Sequence, residues 1–158
     1  MVLGDSLQLI LLLDDTRVRS RDQAIEAMLG RLAADRVIPD DLVGELGESI
    51  ARRDELGPTG IGEGVAIPHA WHRGLDRMAT ALAVSRRGLD YPSLDGQPVH
   101  IVLLVLTPPK VEYEPAKREV FDLWLRHLRE PAFRASLVMA ANDDGLRAAI
   151  RASAQTLF

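Results

Sequence analysis

The chain has 158 residues, of which 47% are hydrophobic and 27% are charged, and its formal net charge is −4 at pH 7. These values are typical of a globular domain with a sizeable core, and the negative charge argues against a nucleic-acid-binding protein, which usually carries a basic face. The chain contains no cysteine, which excludes disulfides, thiol nucleophiles and thiolate metal sites.

The early apolar run Leu7–Leu13 is too short to cross a bilayer and lacks the basic flank of a secretory signal. We therefore expect a cytoplasmic protein that does not insert into a membrane. Because the run is short and is followed by Asp14 and Asp15, it favours an opening strand.

Two helices are predicted next. Ser20 and Gln23 have the spacing of a capping box, and apolar residues then recur at helical spacing to about Ala34. A second helix should begin near Pro39 and end around Arg53. The segment that follows, from Gly57 to Gly64, has four glycines in eight residues and predicts a loop without regular structure.

Strands and helices continue to alternate in the second half. Val65–Ile67 reads as a short strand that ends at Pro68, and two longer strands follow at Met78–Ser85 and Val99–Leu106, with a turn at Asp95-Gly96 before the second of them. Three helices complete the chain: Glu114–Arg129, one from Pro131 to Leu137, and a last one capped by Asn142 or Asp143. This alternation predicts an α/β fold with a central sheet covered by helices.

Of the four histidines, His69 has the most informative setting, because it follows a proline at a strand end, directly after the glycine-rich segment. Glycine amides can bind anions, a neutral imidazole is a nucleophile near neutral pH, and Arg53 would supply donors to phosphoryl oxygens. These features indicate a phosphohistidine site. On the residues alone, a structural histidine beside a tight connection is an open alternative. The glycine spacing fits neither a Walker P-loop nor a dinucleotide-binding fingerprint.

The segment Arg53–Ala70 resembles one family in particular. It follows the pattern Arg-Glu, a short spacer, Thr-x-Ile-Gly-x-Gly-x-Ala-Ile-Pro-His and a small residue, with Asp54 in place of the glutamate. This pattern is that of the enzyme IIA domains of the bacterial phosphotransferase system, of the fructose/mannitol and nitrogen-regulatory type. Further likeness lies in 88–91, 95–99 and 103–108, and the resemblance spans roughly residues 5–152.

The resemblance implies a mixed sheet flanked by helices on both faces, in one domain over residues 1–158. It also implies that His69 accepts a phosphoryl group from the histidine-containing phosphocarrier protein and passes it to an enzyme IIB. Arg53 corresponds to the family's phosphate-neighbouring arginine, and Thr59, Gly62 and Gly64 would shape the pocket. We expect no metal and no organic cofactor, and we leave a homodimer open.

One position departs from the family pattern. The second histidine that many members carry at the start of the helix after the last strand falls on Lys117, or on Arg118 if the register slips by one. A lysine there would either neutralise phosphoryl oxygens or disfavour protonation of His69, and a solvated Lys117 is the alternative. His69 and His72 form an H-x-x-H pair, which lacks a third metal ligand.

Three functions therefore stay open. The first is a phosphocarrier in sugar uptake, and the second is a free-standing nitrogen-regulatory-type module whose phosphorylation state controls protein partners. The third, suggested by Lys117, is a degenerate homologue that transfers nothing.

Overall fold

A computed structural model of the chain describes residues 2–14 and 17–156. Within these residues six strands form one sheet: β1 (Leu9–Leu12), β2 (Gly60–Gly62), β3 (Val65–Ala66), β4 (His69–Trp71), β5 (Ala79–Leu89) and β6 (Val99–Thr107). Five α-helices accompany them: α1 (Arg21–Ala34), α2 (Val43–Glu55), α3 (Glu114–Leu128), α4 (Pro131–Val138) and α5 (Asp143–Thr156). No helix within these residues is long and apolar enough to span a membrane.

The strands lie in the order β1-β5-β6-β3-β2, and β4 also pairs with β6. β1 is parallel to β5, β5 is antiparallel to β6, and both β3 and β4 are parallel to β6. Val65 lies opposite Ile101 and His69 lies opposite Val105, so β3 and β4 keep one register and are two parts of a single extended segment. Ile67, whose amide bonds the carbonyl of Thr59, and Pro68, which has no N–H to donate, lie between them.

Helices cover both faces of the sheet, because the side chains of the buried central strands alternate between two apolar layers. In β6, Val102 and Leu104 pack in the layer of α1 and α2, whereas Leu103 and Val105 pack in the layer of α3, α4 and α5. The fully buried Trp124 of α3 lies in this second layer. The predicted α/β class and the mixed sheet flanked on both faces are confirmed.

The predicted helix boundaries hold with small shifts. Ser20 Oγ accepts from the Gln23 amide at 3.3 Å, and Gln23 reaches back to the amide of Arg19 at 2.7 Å. The second helix begins with a 3-10 turn over Asp40–Leu42, before α2 proper. At the last helix the cap is Asn142, whose Oδ1 accepts from the amide of Gly145 at 2.8 Å.

The glycine-rich segment contains a strand, so the prediction of a loop without regular structure is wrong. β2 pairs with β3 as a hairpin, in which Glu63 and Gly64 both have positive φ, 57° and 77°. A two-residue turn of this kind requires that conformation. At Gly60 an added Cβ would lie 2.5 Å from the carbonyl oxygen of Pro92. The glycines thus allow the chain's own backbone to approach closely.

Candidate functional site

His69 begins β4, which pairs with β6, and α2 packs against this strand. Its side chain points to the same face as Ile67, two residues earlier, and the ring contacts Phe121 of α3 edge-on, with ring centroids 5.8 Å apart and an interplanar angle of 85°. The residue is partly buried. The imidazole is therefore held by a packing contact and still reached by solvent.

A backbone hydrogen bond determines the tautomer of His69. Nδ1 lies 3.2 Å from the carbonyl oxygen of Ile67, and because a carbonyl oxygen only accepts, Nδ1 carries the hydrogen. In the neutral ring the lone pair is then on Nε2. The nucleophilic nitrogen of this histidine is Nε2.

Two cations lie close enough to affect the ring. Burial is the main factor that lowers the pKa of His69, and the charges of Arg53 and Lys117 lower it further, while the hydrogen bond to Ile67 and the charge of Asp54 act in the opposite direction. The ring is therefore mostly neutral at pH 7. A neutral nucleophile beside two cations suits the acceptance of an anionic phosphoryl group.

Arg53 reaches the site from the last turn of α2 and is partly buried. Its Nη1 donates to the carbonyl oxygen of Gly57 at 3.1 Å, which anchors the guanidinium at the beginning of the segment leading to Thr59. The charge of Arg53 acts on the His69 ring, so the two side chains are near each other.

Lys117 reaches the site from the other layer. It is four residues before Phe121, so both side chains lie on the same face of α3, and Lys117 is partly buried whereas Arg118 is exposed. The charge of Lys117 also acts on His69, so Lys117 is the better candidate than Arg118 for the position that departs from the family pattern.

Thr59 is near the site, but its hydroxyl is used within the protein. The side chain is buried, Oγ1 donates to Asp54 Oδ1 at 2.7 Å, and the same oxygen lies 2.8 Å from the hydroxyl of Tyr91. We therefore assign Thr59 to a buried hydrogen-bond network rather than to direct contact with phosphate.

Gly62 and Gly64 are not brought to His69. Gly64 is five residues upstream in the extended segment, which corresponds to about 16 Å. The amide of Gly62 donates to Ser93 Oγ at 3.2 Å and that of Glu63 to Asp95 Oδ2 at 3.0 Å. The amide of Gly62 thus has a partner within the chain, and the positive charge near His69 comes from the side chains of Arg53 and Lys117.

The other three histidines have partners elsewhere. His72 Nδ1 accepts from the amide of Gly74 at 2.8 Å, so Nε2 carries the hydrogen and donates to Glu45. His100 bonds the carbonyl of Ser85 at 2.9 Å, and the buried His127 bonds Ser153 at 2.6 Å. Over residues 2–14 and 17–156, no three His, Cys, Asp or Glu side chains form a group suited to a metal ion.

Residues 6–153 match the family model described as "Phosphoenolpyruvate-dependent sugar phosphotransferase system, EIIA 2". The chain belongs to this EIIA family. The segment that carries His69 and Arg53 lies inside the matched region, and a transferase component of the phosphotransferase system is the general assignment that membership supports.

Relatives include both transport and regulatory proteins. The chain is 31% identical over 137 residues to the PTS system 2-O-alpha-mannosyl-D-glycerate-specific EIIABC component of Escherichia coli (strain K12), which covers 86% of this chain and 20% of that protein. This chain thus spans only a fifth of that relative's length. It is 32% identical over 135 residues to the nitrogen regulatory protein of Pseudomonas aeruginosa, which covers 85% of this chain and 79% of that protein.

The fold also matches a solved structure, the complex of enzyme IIAMTL and phosphorylated enzyme IIBMTL from Escherichia coli. The TM-score is 0.69 at 13% identity, covering 90% of this chain and 94% of the matched chain. At this identity the likeness supports the fold.

Lys117→Met is expected to raise the pKa of His69, because it removes a positive charge that disfavours the imidazolium. The acid limb of any reaction that uses the neutral ring would then move to higher pH. An NMR titration of the His69 ring measures the shift. Lys110→Met is the matched control, since Lys110 is exposed and precedes α3. An equal shift in both variants, or none in Lys117→Met, would contradict the assignment.

Proposed function

We propose that His69 accepts a phosphoryl group on Nε2 from the histidine-containing phosphocarrier protein and passes it to an enzyme IIB domain in sugar uptake. The observation that carries this proposal is the bond from His69 Nδ1 to the Ile67 carbonyl, which leaves Nε2 as the nucleophile. Arg53 and Lys117, which come from opposite helical layers, support the same reaction.

In the proposed step the lone pair of Nε2 attacks the phosphorus of the donor's phosphohistidine. A new N–P bond forms at His69 while the N–P bond of the donor breaks, and its electron pair returns to the donor imidazole. The protein's part is to position the ring and to stabilise the phosphoryl oxygens. Arg53 is suited to bind two oxygens at once, and Lys117 acts as a point charge.

The surface beside His69 suits a protein partner. Arg53, Leu56 and Trp71 line one cleft there, and Leu56 and Trp71 are 85% and 61% exposed. Large exposed apolar side chains close together are typical of protein-binding surfaces. The matched complex pairs an enzyme IIA with a phosphorylated enzyme IIB, and we propose the same class of partner for this chain.

Incubation with phosphoenolpyruvate, enzyme I and the phosphocarrier protein tests the proposal. We expect one acid-labile phosphoryl group per chain, which a cognate enzyme IIB then removes. Absence of labelling with cognate partners would overturn the proposal and favour the degenerate homologue.

A regulatory module is the second candidate. It is favoured by the Pseudomonas aeruginosa nitrogen regulatory protein, which this chain matches over most of its length. In this case the chain would be phosphorylated at His69, but the phosphoryl group would stay on the protein when enzyme IIB domains are added. Binding of the phosphorylated and unphosphorylated forms to a target protein would then differ.

A further inference from the structure

Asp54, the residue after Arg53, carries a carboxylate that solvent does not reach. Its Oδ1 accepts from Thr59 Oγ1 at 2.7 Å, and its Oδ2 accepts from Nη1 of Arg21, on α1, at 3.1 Å. A buried carboxylate is tolerated when a cation and hydrogen bonds replace its water. Both oxygens of Asp54 have such a partner.

The direction of the next hydrogen bond follows from the number of hydrogens. Thr59 has a single hydroxyl hydrogen, and it goes to Asp54, which as a carboxylate only accepts. The hydroxyl of Tyr91 must therefore donate to Thr59 Oγ1 across their 2.8 Å separation. Burial raises the pKa of Tyr91, so the phenol remains a donor at physiological pH.

This network reaches His69 through one residue. The amide of Ile67 donates to the carbonyl of Thr59 at 3.0 Å, and the carbonyl of Ile67 accepts from Nδ1 of His69. The side chain of Thr59 is thus fixed by Asp54 and Tyr91, and its backbone fixes the residue that determines the tautomer of the ring.

We propose that Tyr91, Thr59, Asp54 and Arg21 are positioning residues that keep His69 in its Nδ1–H form through Ile67. None of the four is placed against the reacting atoms. The proposal rests on the proposed function only for its effect on rate, because the tautomer of the ring is measured without any phosphoryl donor.

The matched test compares two buried threonines. Thr59→Val removes the hydroxyl that joins Asp54 to Tyr91, with little change in volume. Thr80→Val is the control: Thr80 is fully buried, and its Oγ1 has no hydrogen-bond partner, so its removal leaves no other group unpaired. Thr59→Ser keeps the hydroxyl and should therefore have the wild-type tautomer and rate.

Two measurements are made on each variant at a pH where His69 is neutral. The ¹⁵N shifts of the His69 ring report the tautomer, and single-turnover kinetics with the phosphorylated phosphocarrier protein separate rate from affinity. For Thr59→Val we expect a mixture of tautomers and a maximal rate roughly tenfold lower, with unchanged half-saturation. We expect no change in Thr80→Val and recovery in Thr59→Ser.

A folded Thr59→Val with a pure Nδ1–H ring would overturn the proposal, whatever its melting temperature. If that variant does not fold, Tyr91→Phe replaces it, because it removes only the hydroxyl that donates to Thr59. We then expect a smaller change in the tautomer mixture of His69, in the same direction. A wild-type protein that is never phosphorylated would refute the proposed function. The ¹⁵N shifts of the His69 ring in the variants would still test whether the four residues hold its tautomer.

Discussion

His69→Ala is expected to abolish phosphorylation of this protein. In the proposed function the imidazole is the nucleophile, and its neighbours Phe121, Arg53 and Lys117 do not replace it, because Phe121 has no nucleophilic atom and the other two are cations. The variant should fold, since the ring is only partly buried and contributes one side-chain hydrogen bond, of about 1 kcal/mol. Labelling through the phosphocarrier protein, with circular dichroism to check folding, measures the result.

His72→Ala is the control for that experiment. His72 is three residues further along the chain, but both of its ring nitrogens are engaged, one with Glu45 and one with the amide of Gly74. We expect it to keep its single acid-labile phosphoryl group. Label that persists in His69→Ala, or disappears in a folded His72→Ala, would place the acceptor at a different residue.

The fold was largely predictable because local signals agree with it. The capping residues Ser20 and Asn142 are where helices begin, and the apolar run of β6 indicates a strand buried on both faces. The β2–β3 hairpin was missed because its evidence is not local. Gly60 pairs with Ala66, and position 60 has no side chain because Pro92 and Ser93, more than 30 residues later, approach its backbone too closely for one.

Part of the candidate site was also predictable from local signals in the sequence. His69 and Arg53 lie in one contiguous motif, so the sequence identifies them together. Asp54 is in the motif too, but its partner Arg21 lies 33 residues before it. Tyr91, which bonds Thr59, lies 32 residues after that threonine, and no spacing rule joins these residues. The sequence predicts that Gly62 and Gly64 shape a phosphate pocket, because an open glycine loop and a β-hairpin can have the same glycine content.

Arg53 and Lys117 each have two effects at His69, and these two effects oppose each other in a phosphocarrier. Each lowers the pKa of the ring, which favours the neutral form with a free Nε2, and in the proposed function each would also stabilise an attached phosphoryl group. The first effect promotes acceptance, whereas the second slows release. In the proposed function a site with two cations is therefore suited to hold a phosphoryl group, and onward transfer would depend on what the partner supplies.

Arg53→Gln is expected to slow phosphorylation of His69 by roughly ten- to a hundredfold, the effect of losing one charge-assisted hydrogen bond of about 1.5–3 kcal/mol in the transition state. Glutamine keeps a donor for the carbonyl of Gly57, which Arg53 now binds, so the segment leading to Thr59 should stay in place. Rapid-quench measurements with saturating phosphorylated donor give the rate.

Arg52→Gln separates this effect from a general loss of positive charge. Arg52 precedes Arg53 in the same helix and lines the same cleft, but it is 68% exposed and pairs only loosely with Glu48, at 3.9 Å. Its removal should change the rate by less than about threefold, since exposed charges are well screened. Equal losses in both variants would mean that the donor protein senses the net charge of the helix end. A loss confined to Arg53→Gln would mean that the guanidinium binds the transferring group itself.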